Sequence, residues 1–313
     1  MDEAELCFPQ LLNTSCKKHT RPHSESMLIY ILLSFISLLT VVLNLLVIIS
    51  ISHFRQLHTP TNSIILSLAV SDVLVGLFVI PFQTLLMEPC WFLGDLMCSL
   101  WFFLAFITVP SSEVNMVLIS VDRYVAICDP LHYSTRITQK RVQICVLLCW
   151  IYCVFYSFVL LYDNLNQPGR YNSCYGQCVI NISGAVHIVL AFIIPVSTII
   201  ILYVRVFVVA VSQARARSVT VTVKKSELKA ARTLGVVVAV FLMCYCPFYC
   251  VSLSRSDITM ASSTNTFINL LVLLNSCMNP VIYAFFYPWF RKSVKLIVTL
   301  QILQPQSSQA NVL

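Results

Sequence analysis

Charge is what this chain has least of. Only 11% of its 313 residues are Asp, Glu, Lys or Arg, whereas 58% are hydrophobic and the mean hydropathy is +0.84. That scarcity excludes a soluble globular protein and leaves a polytopic membrane protein. Internal repeats are missing too, as are broken apolar segments and a ring of pore charges, which argues against a transporter or channel. No convergent acid, base or metal set is visible: the six His lack ligand spacing and the Cys within apolar runs are scattered, which argues against an enzyme. The first residues are polar and include Asp2, Glu3 and Glu5, so a cleaved signal peptide is not expected and the first apolar helix directs insertion.

What remains is apolar and periodic. A bilayer-spanning helix needs about 20 apolar residues, and seven stretches qualify, at about 27–51, 61–83, 98–125, 142–162, 185–209, 232–254 and 265–287. The expected organisation is an N-terminal tail over 1–26, a helical bundle over 27–287, and an amphipathic helix with a tail over 288–313. Of the 20 Lys and Arg, only Lys17, Lys18, Arg21, Arg170 and Arg255 fall on the side of the N-terminus; Arg123 lies at a helix end and the rest fall opposite. The positive-inside rule therefore puts the N-terminus outside, with the basic excess anchored to the inner leaflet. Nucleic acid is not an expected partner. Sequons at Asn13 and Asn181 both lie on the outer side and are candidate glycosylation sites.

Many of the 14 Cys lie inside apolar helices and read as small hydrophobes. The outer set is Cys7, Cys16, Cys90, Cys98, Cys174 and Cys178, an even number in a compartment where disulfides persist. Cys98, at the outer end of helix 3, is expected to pair with Cys178 in the second outer loop. Cys174 is then left for the N-terminal tail, with Cys7 favoured over Cys16.

The most telling segment closes the last apolar run: Asn275-Ser276-Cys277-Met278-Asn279-Pro280-Val281-Ile282-Tyr283, continuing to Phe285-Phe286-Tyr287-Pro288-Trp289-Phe290. Polar side chains at membrane depth are costly unless partnered, and a helical Pro frees a carbonyl, so the segment suits a switch. It coincides with Asn44 in helix 1, Asp72 in helix 2, Asp122-Arg123-Tyr124 at the inner end of helix 3, Trp150 in helix 4, Pro195 in helix 5, and Phe241 with Cys246-Pro247 in helix 6.

Together these features resemble the rhodopsin-like G-protein-coupled receptors over essentially the whole chain. The segments 53–62, 129–133, Lys225 through Gly235, and 286–290, with the doubled cysteine Cys174/Cys178, look like the trace amine-associated receptors within that class. The fold implied is an all-α membrane protein, a seven-transmembrane helix bundle of rhodopsin-like type with a short amphipathic helix after helix 7. The resemblance also implies that Arg123 pairs with Asp122 and reaches Glu227, and that Tyr203 and Tyr283 swing in on activation. Phe241, Tyr245, Pro247 and Pro280 carry the helix motion. Asp72, Ser112, Asn275, Ser276 and Asn279 match the family's sodium-binding cluster; a protonated or water-bonded Asp72 is the alternative. No other cofactor is implied. The partners implied are a small-molecule ligand, a cAMP-raising heterotrimeric G protein and membrane lipids, and the location is the plasma membrane.

The ligand region departs from the family. The helix 3 carboxylate of its amine receptors corresponds here to Ala105, and the helix 7 Tyr that steadies it to Leu273. The usual amine anchor is absent. Glu113, about two turns deeper on helix 3, has three open readings: an amine counter-ion, an extension of the sodium cluster, or a protonated helix–helix hydrogen bond. Asp163 is a second acid, more simply a solvated loop residue. His187 falls where catecholamine-type receptors place a polar contact, or else bonds to loop carbonyls. With Ala105, Phe106, Val109, Phe248, Tyr249, Ser252, Asn269 and Leu273 it would line an aromatic cavity suited to a small volatile or weakly polar molecule. The reading is therefore an olfactory-type chemosensory receptor. Its alternatives are an amine receptor using Glu113 or Asp163 and, from other classes, a transporter or a non-signalling decoy.

Overall fold

A computed structural model describes residues 5–11, 13–18, 23–216, 224–253, 257–260 and 266–313, with side chains at all of these except 210, 213–216, 224–234, 252–253, 257–260 and 266–267. Seven long helices form one bundle: α1 (His23–His53), α2 (Pro60–Leu86), α3 (Asp95–Cys128), α4 (Gln139–Asn166), α5 (184–216), α6 (Lys224–Leu253) and α7 (Thr266–Phe286). A shorter α8 (Pro288–Val298) follows at once. Six are long and apolar enough over the described residues to cross a membrane, and α6 carries the apolar stretch Gly235–Val251. The end of the bundle bearing the N-terminal tail is called outer below.

Local chemistry sets the helix starts. Thr59 caps α2, its hydroxyl accepting from the Asn62 amide at 3.3 Å, with Pro60 in the first turn where no amide bond is lost. Thr138 caps α4 in the same way. α6 starts eight residues before the expected 232 and α5 runs seven past 209. Hydropathy reads only the hydrocarbon span, whereas these ends are polar helix beyond it.

The bundle is apolar outside and polar within. Phe35, Phe155, Ile201 and Phe207 are exposed, whereas Asn44, Asp72, Ser112, Glu113, Asn115 and Asn275 are buried. In lipid, apolar burial gives helices little reason to associate, so packing and interhelical hydrogen bonds hold them. Trp150 of α4 donates to Ser67 of α2 at 3.1 Å, and Asn44 of α1 donates to the Ser276 carbonyl of α7 at 3.0 Å. Single π-turns interrupt α2 at Val75–Val79 and α5 at Val189–Ile193, and prolines lie inside α3, α6 and α7 at Pro110, Pro247 and Pro280.

The outer cap corrects the expected disulfides. Cys98 pairs with Cys178 as anticipated, but Cys174 pairs with Cys16, and Cys7 pairs with Cys90 in the loop between α2 and α3. The tail doubles back on itself: the Cys7 amide donates to the Cys16 carbonyl at 2.8 Å, and the Lys18 amide to the Glu5 carbonyl at 2.8 Å. The returning strand lies along the second outer loop, Cys16 N to Tyr175 O at 2.9 Å and Tyr175 N to Thr14 O at 2.7 Å. This places Cys16 beside Cys174 and swings Cys7 toward Cys90. Gly176 has φ +101°, and a Cβ there would stand 3.0 Å from Cys7 Cβ, so both backbone and space require glycine. Beyond the cap, β1 (Ile180–Ser183) forms an antiparallel ladder with β2 (Asp257–Met260), joining the second and third outer loops.

At the inner end, α8 buries Trp289, Phe290 and Ser293 and exposes Arg291 and Lys295, the amphipathic pattern expected of this segment. Arg291 donates to the last carbonyls of α7, at Ala284 and Phe285. The C-terminal segment then folds back: Val312 is fully buried in one cluster with Phe54, Leu57, Tyr283 and Phe290, and its amide meets Gln56 Oε1 at 3.3 Å.

Candidate functional site

Polar and aromatic side chains fill the bundle axis in three layers. In the outer layer His187 of α5 stands edge-on to Phe106 of α3 and Phe248 of α6, ring centroids at 5.3 and 6.3 Å, and 5.6 Å from Tyr249. Tyr249 stacks on Phe192 at 4.3 Å. The Tyr156 hydroxyl of α4 meets His187 Nδ1 at 2.5 Å, so the imidazole is tied to a helix and not to loop carbonyls. Ala105, Val109 and Leu273 pack against the same core, and Asn269 is half-buried; Ser252 lies outside the described side chains. Tyr156 and Phe192 were not legible as site residues, since neither spacing nor composition names a partner on another helix.

Glu113 lies at the floor of this layer. It is 1% exposed, and its Oε1 accepts from the Tyr249 hydroxyl at 3.2 Å, which ties α3 to α6. Asp163, in contrast, is exposed.

The middle layer centres on Asp72, which is fully buried. Ser112 donates to its Oδ1 at 3.0 Å and Asn279 to its Oδ2 at 2.9 Å, while Ser71 sits 3.1 Å from the Ser112 hydroxyl. Ser276 contributes its carbonyl to Asn44, and Asn275 Nδ2 and Asn44 Oδ1 are buried without a protein partner among the described residues. The Asp72 carboxylate, the Ser112 hydroxyl and the unmatched Asn44 Oδ1 are oxygens of the type a hard monovalent cation takes, whereas the unmatched Asn275 Nδ2 is a donor and does not ligate one. The residues fit such an ion. Beside them Phe241 and Tyr245 of α6 pack with ring centroids 4.6 Å apart, on the helix that carries Pro247.

The inner layer is a closed polar ring. Arg123 Nε donates to Asp122 Oδ2 at 2.9 Å and its Nη2 pairs with the same oxygen. The guanidinium also donates to Thr61 Oγ1 at 2.8 Å, Thr61 reaches Asp122 at 3.0 Å, and the Tyr133 hydroxyl donates to Asp122 Oδ1 at 2.9 Å. Thr61 and Tyr133 stand in the sequence segments that carry the family resemblance, but their part in the ring was not readable. Glu227 lies on α6, its side chain outside the described set. Tyr124 packs with Ile127 and Val206, and Tyr283 is buried edge-on to Tyr287 at 5.8 Å. Tyr203 lies against Gly235 so closely that a Cβ there would strike its hydroxyl; glycine makes the room this tyrosine occupies. Tyr133 belongs to the short turn Tyr133–Arg136, and its partial burial raises the hydroxyl above its ordinary pKa. Asp129 nearby is held below the usual carboxylate range, chiefly by its hydrogen bond with His132 at 2.7 Å.

A seven-helix bundle with a buried carboxylate cluster at mid-depth and an Asp–Arg ring at the inner end defines a transmembrane signalling receptor, and residues 43–283 match the 7 transmembrane receptor (rhodopsin family). Similarity also extends along the whole chain to individual relatives. The chain is 38% identical to trace amine-associated receptor 13c of Danio rerio over 99% of its length and 96% of the relative's. It is 38% identical to trace amine-associated receptor 7e of Mus musculus over 98% and 92%, and 34% identical to trace amine-associated receptor 4 of Mus musculus over 99% and 95%. The chain belongs to the trace amine-associated receptors of the rhodopsin family. It is a multi-pass membrane receptor that couples a small-molecule ligand to a G protein, and not an enzyme.

Proposed function

We propose that this receptor is an olfactory-type chemosensor that binds its ligand in the outer half of the bundle and activates a cAMP-raising G protein. The observation that carries this reading is continuity: ligand-facing Phe248 and Tyr249 share α6 with Tyr245, Phe241 and Gly235, and Gly235 touches Tyr203 at the inner end. A ligand that displaces the outer rings therefore acts on the helix that must move to admit a G protein. The replacement of the usual anchor by Ala105 and Leu273 supports a ligand unlike an ordinary monoamine held at that level.

The receptor sits in the plasma membrane with its N-terminus outside; the pairing of all six outer cysteines supports an oxidising surroundings for that end. A sodium ion would be held by Asp72 and Ser112 with Asn275, Ser276 and Asn279 around it, supplying charge balance to the buried carboxylate. Asn13 is exposed, which suits a glycan acceptor, whereas the Asn181 side-chain oxygen is buried and its backbone lies in the ladder with β2. Asn13→Gln is expected to abolish the glycosidase-sensitive gel shift of the expressed receptor, and Asn181→Gln to leave it; the reverse pattern refutes the assignment.

The function is tested by a cAMP reporter screened with amines, polyamines, acids and neutral volatiles. At least one class should raise cAMP in the wild type and fail in Arg123→Ala at equal surface expression. A fall in cAMP, or a response indifferent to Arg123, defeats the proposal.

A further inference from the structure

Ala105, Val109 and Glu113 follow one another at intervals of four on α3, so they stand on one helix face, one above the next. At 1.5 Å per residue, Glu113 lies about 12 Å along the axis below Ala105. The two upper side chains are an alanine and a valine, shorter than the aromatic rings beside them, and both pack against the core that holds Phe106 and Tyr249. The hydrogen bond from Tyr249 engages only one of its oxygens, and that hydroxyl is shared, since it also lies 3.4 Å from the Ala191 carbonyl. The second oxygen, Oε2, is buried with no partner among the described residues. None of the ion pairs formed by described residues includes Glu113. Aromatic rings line the approach: Phe106 and His187 edge-on, and Tyr249 backed by Phe192.

We infer that Glu113 and Tyr249 form a deep ligand subsite for the nitrogen of a slender alkylammonium, entered along the Ala105–Val109 face. The inference rests on the reading of the outer layer as a small-molecule site and assigns it a chemistry and a depth. A buried acceptor left unmatched is costly, and an N–H of the ligand matches Oε2 while its charge balances the carboxylate. Ring faces attract a cation further once water is excluded. Shape follows from burial. Phe106, His187, Tyr245 and Tyr249 are all nearly inaccessible, so a broad head group would have to displace several rings, whereas a linear chain has to part only a few. Because Tyr249 belongs to α6, an ammonium that takes over Glu113 also loosens the bond between α3 and α6, which makes such a ligand an activator.

The test uses full-length receptor in lipid nanodiscs and matched probes, hexylamine against 1-hexanol and 2-phenylethylamine against 2-phenylethanol, with thermal stabilisation as the binding readout. Hexylamine should stabilise the wild type at lower concentration than either 1-hexanol or 2-phenylethylamine. Glu113→Gln should raise the hexylamine midpoint by roughly 30-fold or more, the scale of losing one member of a buried charge pair. Asp163→Asn should leave it within about threefold, a shift too small for a lost charge contact. Hexylamine binding no better than 1-hexanol, or binding unchanged in Glu113→Gln, overturns the inference. If Glu113→Gln does not yield folded receptor by its ligand-free melting curve, Glu113→Asp, which keeps the charge and withdraws it by one methylene, should show a partial loss, and an unchanged midpoint there overturns it equally. Failure of the receptor reading shows elsewhere, as nucleotide exchange on the G protein that ignores Arg123, so the two failures are separable.

Discussion

Removing any one of the three disulfides is expected to destabilise the outer cap by nearly the same amount, about 3 kcal/mol on the loop-entropy scale. The sequence separations of 83, 158 and 80 suggest otherwise, because they imply unequal loops. The connectivity cancels the difference. Segments 7–16, 90–98 and 174–178 are each short, and the bonds Cys7–Cys90, Cys98–Cys178 and Cys174–Cys16 join them end to end in a single ring. With two bonds in place, the third always closes the same ring of about 24 residues, whichever bond it is. Paired Cys→Ser variants at each bridge, melted in detergent under identical conditions, should therefore fall within about 1 kcal/mol of one another, the usual size of a single weak contact. A loss from Cys16–Cys174 clearly greater than from Cys98–Cys178 would show that the long covalent span matters and the ring account is wrong. A second consequence concerns the ligand. The ring lies over the outer layer and continues through Cys178 into β1, so loosening it should also weaken ligand binding without altering the residues the ligand touches.

The ring shows where sequence reading stops. The six outer cysteines were legible as a set because compartment and parity select them, but their pairing depends on the tail doubling back so that Cys16 and not Cys7 meets Cys174. Nothing in spacing encodes that turn. The helices themselves were legible because lipid demands long apolar runs, and only their polar extensions, such as Lys224 to about 232, escaped the hydropathy scale. Asp72, Ser112 and Asn279 were legible for the converse reason: polar groups inside such runs must find one another, and here they lie within 3.0 Å. Interhelical partners without that constraint, Tyr156 for His187 and Tyr249 for Glu113, were not. Val312 was hidden as well, since an apolar residue near the end of a mostly polar tail does not announce that it packs beside Phe54 and Phe290.

Asp122→Asn is expected to raise basal G-protein activation by one to two orders of magnitude at equal surface expression. Asp122 is the hub of the inner ring: its two oxygens accept from Arg123, Thr61 and Tyr133, which belong to α3, α2 and the turn after α3. Its side chain is 2% exposed and that of Arg123 22%. Neutralising a hub this deep leaves the guanidinium without its charge partner and turns one accepting oxygen into a donor that faces the hydroxyls. Loss of one member of a buried pair costs about 3–5 kcal/mol, and partial exposure of Arg123 lowers this to about 2–3 kcal/mol. The cost falls on the inactive arrangement alone under the proposed activation, in which Arg123 leaves the ring to meet the G protein. Such a difference shifts a two-state equilibrium by roughly 30- to 100-fold. Tyr133→Phe removes one hydrogen bond and keeps the charge pair, so it should raise basal activity by less, about fivefold for a bond worth near 1 kcal/mol, and Thr61→Val, which removes the bond from Arg123 as well as the one to Asp122, should fall between the two. The order Asp122→Asn above Tyr133→Phe is the discriminating result. Basal activity unchanged in Asp122→Asn would mean that Arg123 is restrained elsewhere and that the ring only shapes the loop, whereas the graded series would show that the charge at Asp122 holds the receptor off.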